Sequence, residues 1–380
     1  MRVRSVATRI GSALALSAAL TAAPAIASAA VLPALQTNST IASTVPGNGD
    51  INPYGIAQVK RSTGKLVSGH ILISNFNNSQ NQQGTGTTIV DVAPDGTLSV
   101  FAALSAGSLP GSCPGGVGLT TALVVLESGW VVVGSLPTSD GTSATAQAGC
   151  LIVLDSMGNA VETFFGSLIN GPWDMTAQDG WSQAKLFVTN VLNGTVAAGG
   201  AVVNGGTVTR LNLKVSTSAM PVLESITVIG SGFAEHTDPA ALVIGPTGVG
   251  LRSTSEEDRD GDQDDALLYV ADTVNSRVAV IDHPLTRSTS AGTGHTLSSG
   301  GSLNGPLGLT VTPGGEILTV NSGDGFITEI TPFGHQVAKT QLDSSGSPPG
   351  AGALFGLVFD PAHGVYYVDD ATNTLNLLHH

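Results

Sequence analysis

The sequence predicts an all-β fold, a single six-bladed β-propeller with four-stranded blades, and three observations lead to this prediction. Apolar and polar residues alternate with period two along the chain, and helical periodicity is weak. The 49 Gly and 19 Pro supply many tight turns. A three-strand pattern recurs six times, at spacings of roughly 50–70 residues with no helix between the copies, which is typical of propeller blades.

Each repeat opens on a short apolar strand that most often begins at Pro or Gly. The six predicted openings are Pro53-Tyr54-Gly55-Ile56, Gly116-Val117-Gly118-Leu119, Pro172-Trp173-Asp174-Met175, Pro239-Ala240-Ala241-Leu242, Pro306-Leu307-Gly308-Leu309 and Leu354-Phe355-Gly356-Leu357. A second strand then runs into a polar turn. Asn or Gly at the end of that turn suits the positive φ of a hairpin, and a third apolar strand follows.

The last repeat is too short for four strands, because the chain ends soon after Leu354. A spare strand over 39–45 precedes the first repeat. We therefore expect this N-terminal strand to complete the last blade and close the ring, which would leave no exposed strand edge at the junction.

The best-preserved repeat reads Leu268-Tyr269-Val270-Ala271-Asp272-Thr273-Val274-Asn275-Ser276-Arg277-Val278 and resembles the NHL repeat, a family of six-bladed β-propellers. The resemblance extends over nearly the whole chain after the first residues. It implies the fold more firmly than an activity, because NHL propellers include binding scaffolds as well as enzymes.

Residues 1–29 read as a secretory signal peptide, with three arginines, an apolar run over 10–26 and small residues at 27–29. A membrane anchor is the alternative, but polar residues and a proline dilute the apolar run. We expect residues 30–380 to form the propeller domain. The protein is expected to be exported to a bacterial periplasm or the exterior, with no membrane span after cleavage.

The formal net charge is −14, with only 14 Lys and Arg in all. This acidic surface argues against binding to nucleic acid or to anionic membranes. The expected partners are a small molecule, a glycan or another protein.

Cys113 and Cys150 precede the first and third strands of the second blade. Successive strands alternate in direction, so the two cysteines fall on the same face of the ring. In an oxidising compartment they are expected to form a disulfide.

The loops that lead into each first strand and the ends of the second strands converge around the channel on one face, and this face is the predicted ligand site. It collects Tyr54, Asn75, Ser135, Trp173, Asp174, Asn190, His236, Asp272, Ser322 and Asp370. Asn and Asp oxygens there could hold a hard cation such as Ca²⁺. The resemblance implies the same, because related lactonases of the gluconolactonase type place a metal near the axis. The alternative is that these side chains bond backbone groups in the hairpin turns.

Asp174 departs from the repeat, because most other openings carry Gly at its place. A residue that breaks a repeat needs a local reason, and either function or a bond to a neighbouring blade would supply one. Asp174 and His236 are therefore the candidate catalytic residues. Zinc held by channel histidines, as the family's amidating lyases imply, is not supported, because only His236 falls on the candidate face.

The acidic run Glu256-Glu257-Asp258-Arg259-Asp260-Gly261-Asp262-Gln263-Asp264-Asp265 places carboxylates at alternate residues. Asp258, Asp260, Asp262 and Asp264 are candidate Ca²⁺ ligands, although the glycine position and the twelfth residue depart from the EF-hand pattern. The alternative is a solvated acidic turn.

Two functions follow from these features. The first is an exported binding scaffold that uses its channel face, favoured because the sequence contains no nucleophile motif or metal-ligand motif. The second is a metal-dependent enzyme of lactonase or lyase type with its site at the central channel.

Overall fold

The structure is a computed structural model that describes residues 1, 30–252 and 265–380. These residues form a six-bladed β-propeller of antiparallel blades, in agreement with the predicted fold. The helices are one four-residue α-helix, α1 (Thr195–Ala198), and three short 3₁₀ turns within the described ranges. In this part of the chain, no helix has the length and hydropathy needed to cross a bilayer.

Within the described ranges, twenty-five strands build the blades, and all but β1 follow in chain order. Blade 1 contains β2 (Ile51–Gln58), β3 (Ile71–Asn77), β4 (Thr88–Val92) and β5 (Leu98–Ala103), and blade 2 contains β6 (Leu119–Val125), β7 (Val131–Ser135), β8 (Cys150–Leu154) and β9 (Ala160–Phe164). Blade 3 contains β10 (Pro172–Asp179), β11 (Gln183–Asn190), β12 (Val203–Lys214), β13 (Val222–Asp238) and β14 (Leu242–Ile244).

The other three blades follow the same order. Blade 4 contains β15 (Pro246–Arg252), β16 (Leu267–Asp272), β17 (Arg277–Asp282) and β18 (His295–Ser299), and blade 5 contains β19 (Pro306–Val311), β20 (Ile317–Asn321), β21 (Phe326–Ile330) and β22 (Gln336–Gln341). Blade 6 contains β23 (Leu354–Asp360), β24 (Gly364–Asp369), β25 (Thr374–His379) and the N-terminal strand β1 (Thr37–Ser43).

The predicted closure of the ring is confirmed, because β1 pairs antiparallel with β25. The closing strand begins two residues earlier than predicted. The predicted disulfide is also present, joining Cys113 to Cys150 across a Cα–Cα distance of 5.1 Å.

Two predicted openings were misplaced. The first strand of blade 4 begins at Pro246, and the residues around Pro239 instead belong to a hairpin in which β14 pairs with the end of β13. The segment that starts at Pro239 was mistaken for a blade opening, because a hairpin turn and a blade opening use the same residue types. In blade 2 the first strand begins at Leu119, at the end of the predicted opening.

Apolar side chains fill the seams between blades. One buried cluster, for example, packs Leu72, Phe101 and Leu119 with Ile152, which come from blades 1 and 2. Strands that pack on both faces, such as β7 and β8, are buried along their whole length and depart from the predicted alternation, whereas the outer strand β22 keeps it. The innermost strand of each blade lines the central axis.

Candidate functional site

The central channel contains a cavity with a volume of about 290 Å³. Its wall is formed by the innermost strands of all six blades. We call the face where these strands begin the N-face and the face where they end the C-face. Lys60, Glu127 and Asp179 line the cavity where strands β2, β6 and β10 end. The cavity therefore opens on the C-face.

On the N-face, by contrast, the axis is closed by apolar side chains. The ring of Tyr54 stacks between Phe76, at 4.4 Å between centroids, and Phe355, at 3.8 Å. Leu242 and Val243 of the β13–β14 hairpin join the same buried cluster. The N-face is the face that the sequence pointed to, and the ring of polar groups expected around its axis is replaced there by this apolar cluster.

Asp174 lies on the wall of the cavity and is almost completely buried. Its Oδ2 accepts a hydrogen bond from the backbone N–H of Val249 in the next blade, at 3.0 Å. Burial raises the pKa of Asp174 to about 7, because the loss of solvent outweighs the bonds from the backbone N–H groups of Val249 and Met175. Asp174 is therefore a carboxyl group that can both give and take a proton near neutral pH.

Strand register explains why Asp174 reaches the channel. The residue at its place is Gly55, Ala122, Gly248, Gly308 and Gly356 in the other five blades.

At three of those glycines the neighbouring blade comes very close. A Cβ on Gly248, Gly308 or Gly356 would collide with the carbonyl oxygen of Leu307, Phe355 or Tyr54 respectively. The seam between blades 3 and 4 is different, since it has room for a carboxylate that bonds across it.

The polar side chains expected at the ends of the second strands form hydrogen bonds or ion pairs with nearby protein groups. Asn75 donates to the carbonyl of Thr44 at 3.1 Å. Asn190 accepts from the N–H of Asn170 at 2.9 Å. Asp272 is paired with Arg277 at 2.7 Å.

Three other predicted residues lie near the N-face. The Nδ1 atom of His236 lies 2.9 Å from the carbonyl oxygen of Thr237. Asp370 follows the last residue of β24, and burial together with the neighbouring Asp369 raises the pKa of Asp370 to about 7. Trp173 packs into the apolar cluster, with its ring centroid 6.5 Å from that of Phe355.

The described residues do not fit a metal ion at the channel. Within 30–252 and 265–380, no three His, Cys, Asp or Glu side chains come together as a metal site. The side-chain oxygens of Asn190 and Asp272 already bond to protein groups, and aromatic rings fill the axis at the N-face. The candidate Ca²⁺ ligands Asp258, Asp260, Asp262 and Asp264 lie outside the described residues.

The C-face rim carries charged groups that the sequence analysis did not select. The backbone N–H of Glu127 donates to Asp179 Oδ2, and burial raises the pKa of Asp179. The Arg61 guanidinium lies 4.7 Å from the centroid of the Trp181 ring. Asp179 is the last residue of β10, and the others lie two or three residues after the end of an innermost strand. They were missed because the predicted ligand site lay on the N-face.

Comparison with known proteins supports the fold. No protein-family model and no curated protein matches the chain. Among solved structures, it resembles a gluconolactonase from Xanthomonas campestris at 14% identity and a TM-score of 0.54, covering 91% of this chain and 90% of the other. It resembles a streptogramin B lyase at 12% identity and a TM-score of 0.50, with coverage of 92% and 98%.

A third similar structure is regucalcin, a calcium-binding protein from Agrobacterium tumefaciens str. C58, at 13% identity and a TM-score of 0.50, with coverage of 88% and 92%. At these identities the comparisons show a shared fold. The chain is a six-bladed β-propeller of the architecture found in these proteins.

Proposed function

We propose that this propeller is an enzyme of lactonase or lyase type that acts on a small molecule in the central channel, with Asp174 as its general acid–base group. The observation that carries the proposal is a buried carboxyl with a pKa of about 7 on the wall of the channel cavity. General acid–base catalysis is most efficient when the pKa of the group lies near the working pH.

The chemistry of Asp174 can be written without a metal. In lactone hydrolysis, the Asp174 carboxylate takes a proton from the attacking water as the C–O bond to water forms. The protonated carboxyl then returns this proton to the ring oxygen as the ester C–O bond breaks. In a lyase reaction, the carboxylate takes a proton from carbon, the electrons of that C–H bond form a carbon–carbon double bond, and the leaving group departs with the electrons of its own bond.

The cavity supports a small substrate of low charge. Its volume of about 290 Å³ is at the lower end of small-molecule sites. Three acidic residues, Asp174, Glu127 and Asp179, line it together with one basic residue from the described part of the chain, Lys60. A polyanionic substrate would meet repulsion there.

The names of the similar structures, a gluconolactonase and a streptogramin B lyase, support an enzyme more than a non-catalytic scaffold. We also propose that the ring is of NHL type, on the repeat at 268–278, and that the protein is exported, which the disulfide supports. Ca²⁺ binding by the acidic run at 256–265 stays a prediction.

The test is the Asp174→Asn variant, assayed against a panel of small lactones, esters and cyclic substrates. Asn keeps an acceptor for the Val249 N–H and removes the titrating group, so activity should fall by about 100-fold or more. The wild-type rate should change with pH around neutrality. If Asp174→Asn turns over substrate as fast as the wild type, Asp174 is not the catalytic group.

His236→Gln is the matched control, because His236 is the other catalytic candidate. Its ring bonds to the carbonyl of Thr237, and it does not line the channel cavity. We expect this variant to retain wild-type activity. A ligand that binds in the channel without being converted by the wild type would favour the scaffold instead.

A further inference from the structure

We infer that a small void behind the closed end of the channel binds a single water, held by the hydroxyls of Thr121 and Thr120. The void lies between the channel and the β13–β14 hairpin, which covers it with Leu242. It offers about 10 Å³ to the centre of a water-sized sphere. That is about the space that one buried water occupies.

Thr120 and Thr121 line the void, and the hydroxyl of each lacks a hydrogen-bond partner within the described part of the chain. The two residues are only 3% and 4% exposed respectively, so bulk solvent does not reach their hydroxyls. Buried hydroxyls in native proteins almost always find a partner, and an ordered water commonly supplies it.

Thr247 shows what a satisfied hydroxyl looks like at the same place in the repeat. Thr247 and Thr121 each precede the position occupied by Asp174 in blade 3. The hydroxyl of Thr247 lies 2.6 Å from that of Thr273 and 3.0 Å from the carbonyl of Leu307. Thr121 has no such protein partner in the described ranges, and it lines a void of the size of one water instead.

Thr121 lines both the void and the channel cavity. A water bound there would place a polar group directly behind the end of the channel, where Trp173 and Leu242 otherwise present apolar surface. The inference concerns the two threonines, and it does not depend on the reaction proposed for Asp174.

The first experiment compares the melting temperatures of Thr121→Val and of the wild type at a pH well below that at which Asp174 titrates. Val removes the hydroxyl and keeps the shape of the side chain. If a water is bound, the variant loses a hydrogen bond and we expect the melting temperature to fall by about 2 °C or more. If the void is dry, the methyl group replaces an unsatisfied hydroxyl and the melting temperature should stay the same or rise, which would overturn the inference.

Thr247→Val is the matched control, because its hydroxyl has protein partners and its loss must lower the melting temperature. Thr121→Ser keeps a hydroxyl and should recover part of the difference between Thr121→Val and the wild type. A crystal structure of the wild-type protein gives a direct answer even if a variant folds poorly. Water density within hydrogen-bond distance of Thr121 Oγ1 supports the site, and an empty void there overturns it.

Discussion

Asp174 affects stability as well as chemistry, because folding moves its carboxyl into a seam that favours the neutral form. Its pKa rises from an ordinary value of 3.8 to about 7 on folding. The folded state therefore binds this proton more tightly than the unfolded state does. The stability linked to the proton is fully present below about pH 4 and is lost as the pH rises through 7, by on the order of 4 kcal/mol.

Asp174→Asn should therefore change the pH dependence of unfolding. We expect its melting temperature to match that of the wild type near pH 4 and to exceed it by several degrees at pH 8, because the variant never carries the buried charge. Thermal unfolding followed by circular dichroism across this range measures the difference. A difference that does not grow with pH would contradict the raised pKa.

Asp95→Asn is the control, because folding shifts the pKa of Asp95 in the opposite direction to that of Asp174. Hydrogen bonds from Thr97 hold the pKa of Asp95 below its ordinary range, so ionised Asp95 stabilises the fold. Its stabilisation is present above the ordinary pKa and is lost as the pH falls through the lowered value. The Asn variant should therefore be equal or slightly less stable at pH 8.

At the scale of the element, the N-terminal strand joins the two ends of the chain. Tyr367 donates its hydroxyl to Asn38 Oδ1 at 2.9 Å, beside the ladder that β1 forms with β25. Before this strand, the N–H groups of Val31 and Leu32 donate to the two carboxylate oxygens of Glu329, at 2.7 and 2.8 Å. The residues just before the closing strand therefore bind blade 6 to Glu329 of the neighbouring blade 5.

Deletion of residues 37–43 should lower the melting temperature by 10 °C or more, on the order of several kcal/mol, since blade 6 loses a whole strand and β25 gains an open edge. Differential scanning calorimetry measures the change. Gln36→Ala is the control, because its exposed side chain makes only one long bond, to Pro33. A deletion variant that melts with the wild type would mean that the ring does not depend on its closing strand.

The closing strand, the disulfide and most of the blades could be predicted from the sequence. Each of them depends on local residue patterns and on the alternation of strand direction. Blade 4 was not predicted correctly, because the hairpin at 236–244 supplied a second Pro-led apolar segment ahead of Pro246. Asp174 could be singled out because it breaks a repeat. The closed N-face could not be predicted, because Leu242 reaches the axis from an additional hairpin that is found, within the described residues, in blade 3 alone.

At the scale of the whole molecule, the central channel of the propeller is open at the C-face and closed at the N-face. The closure combines the aromatic stack of Tyr54 with the hairpin that carries Leu242 and Val243. Gln83 helps to hold this hairpin by donating to the carbonyl of Pro239 at 3.0 Å. Solutes should therefore reach Asp174 from the C-face, past Lys60, Glu127 and Asp179.

Trp173 can report whether the hairpin is what closes the N-face. The chain has three tryptophans, so the double variant Trp130→Phe and Trp181→Phe leaves Trp173 as the single emitter. Trp173 is 5% exposed, and we expect its emission to be blue-shifted and weakly quenched by acrylamide.

In this background, Leu242→Gly removes the side chain over the axis without backbone strain, because Leu242 has a φ of 62°. Quenching of Trp173 should then increase and its emission should shift to the red. Val202→Gly is the control, since Val202 is 56% exposed and lies outside the axial cluster, and it should leave the emission of Trp173 unchanged. If Leu242→Gly leaves Trp173 as protected as before, the aromatic stack alone seals the channel and the hairpin only covers it.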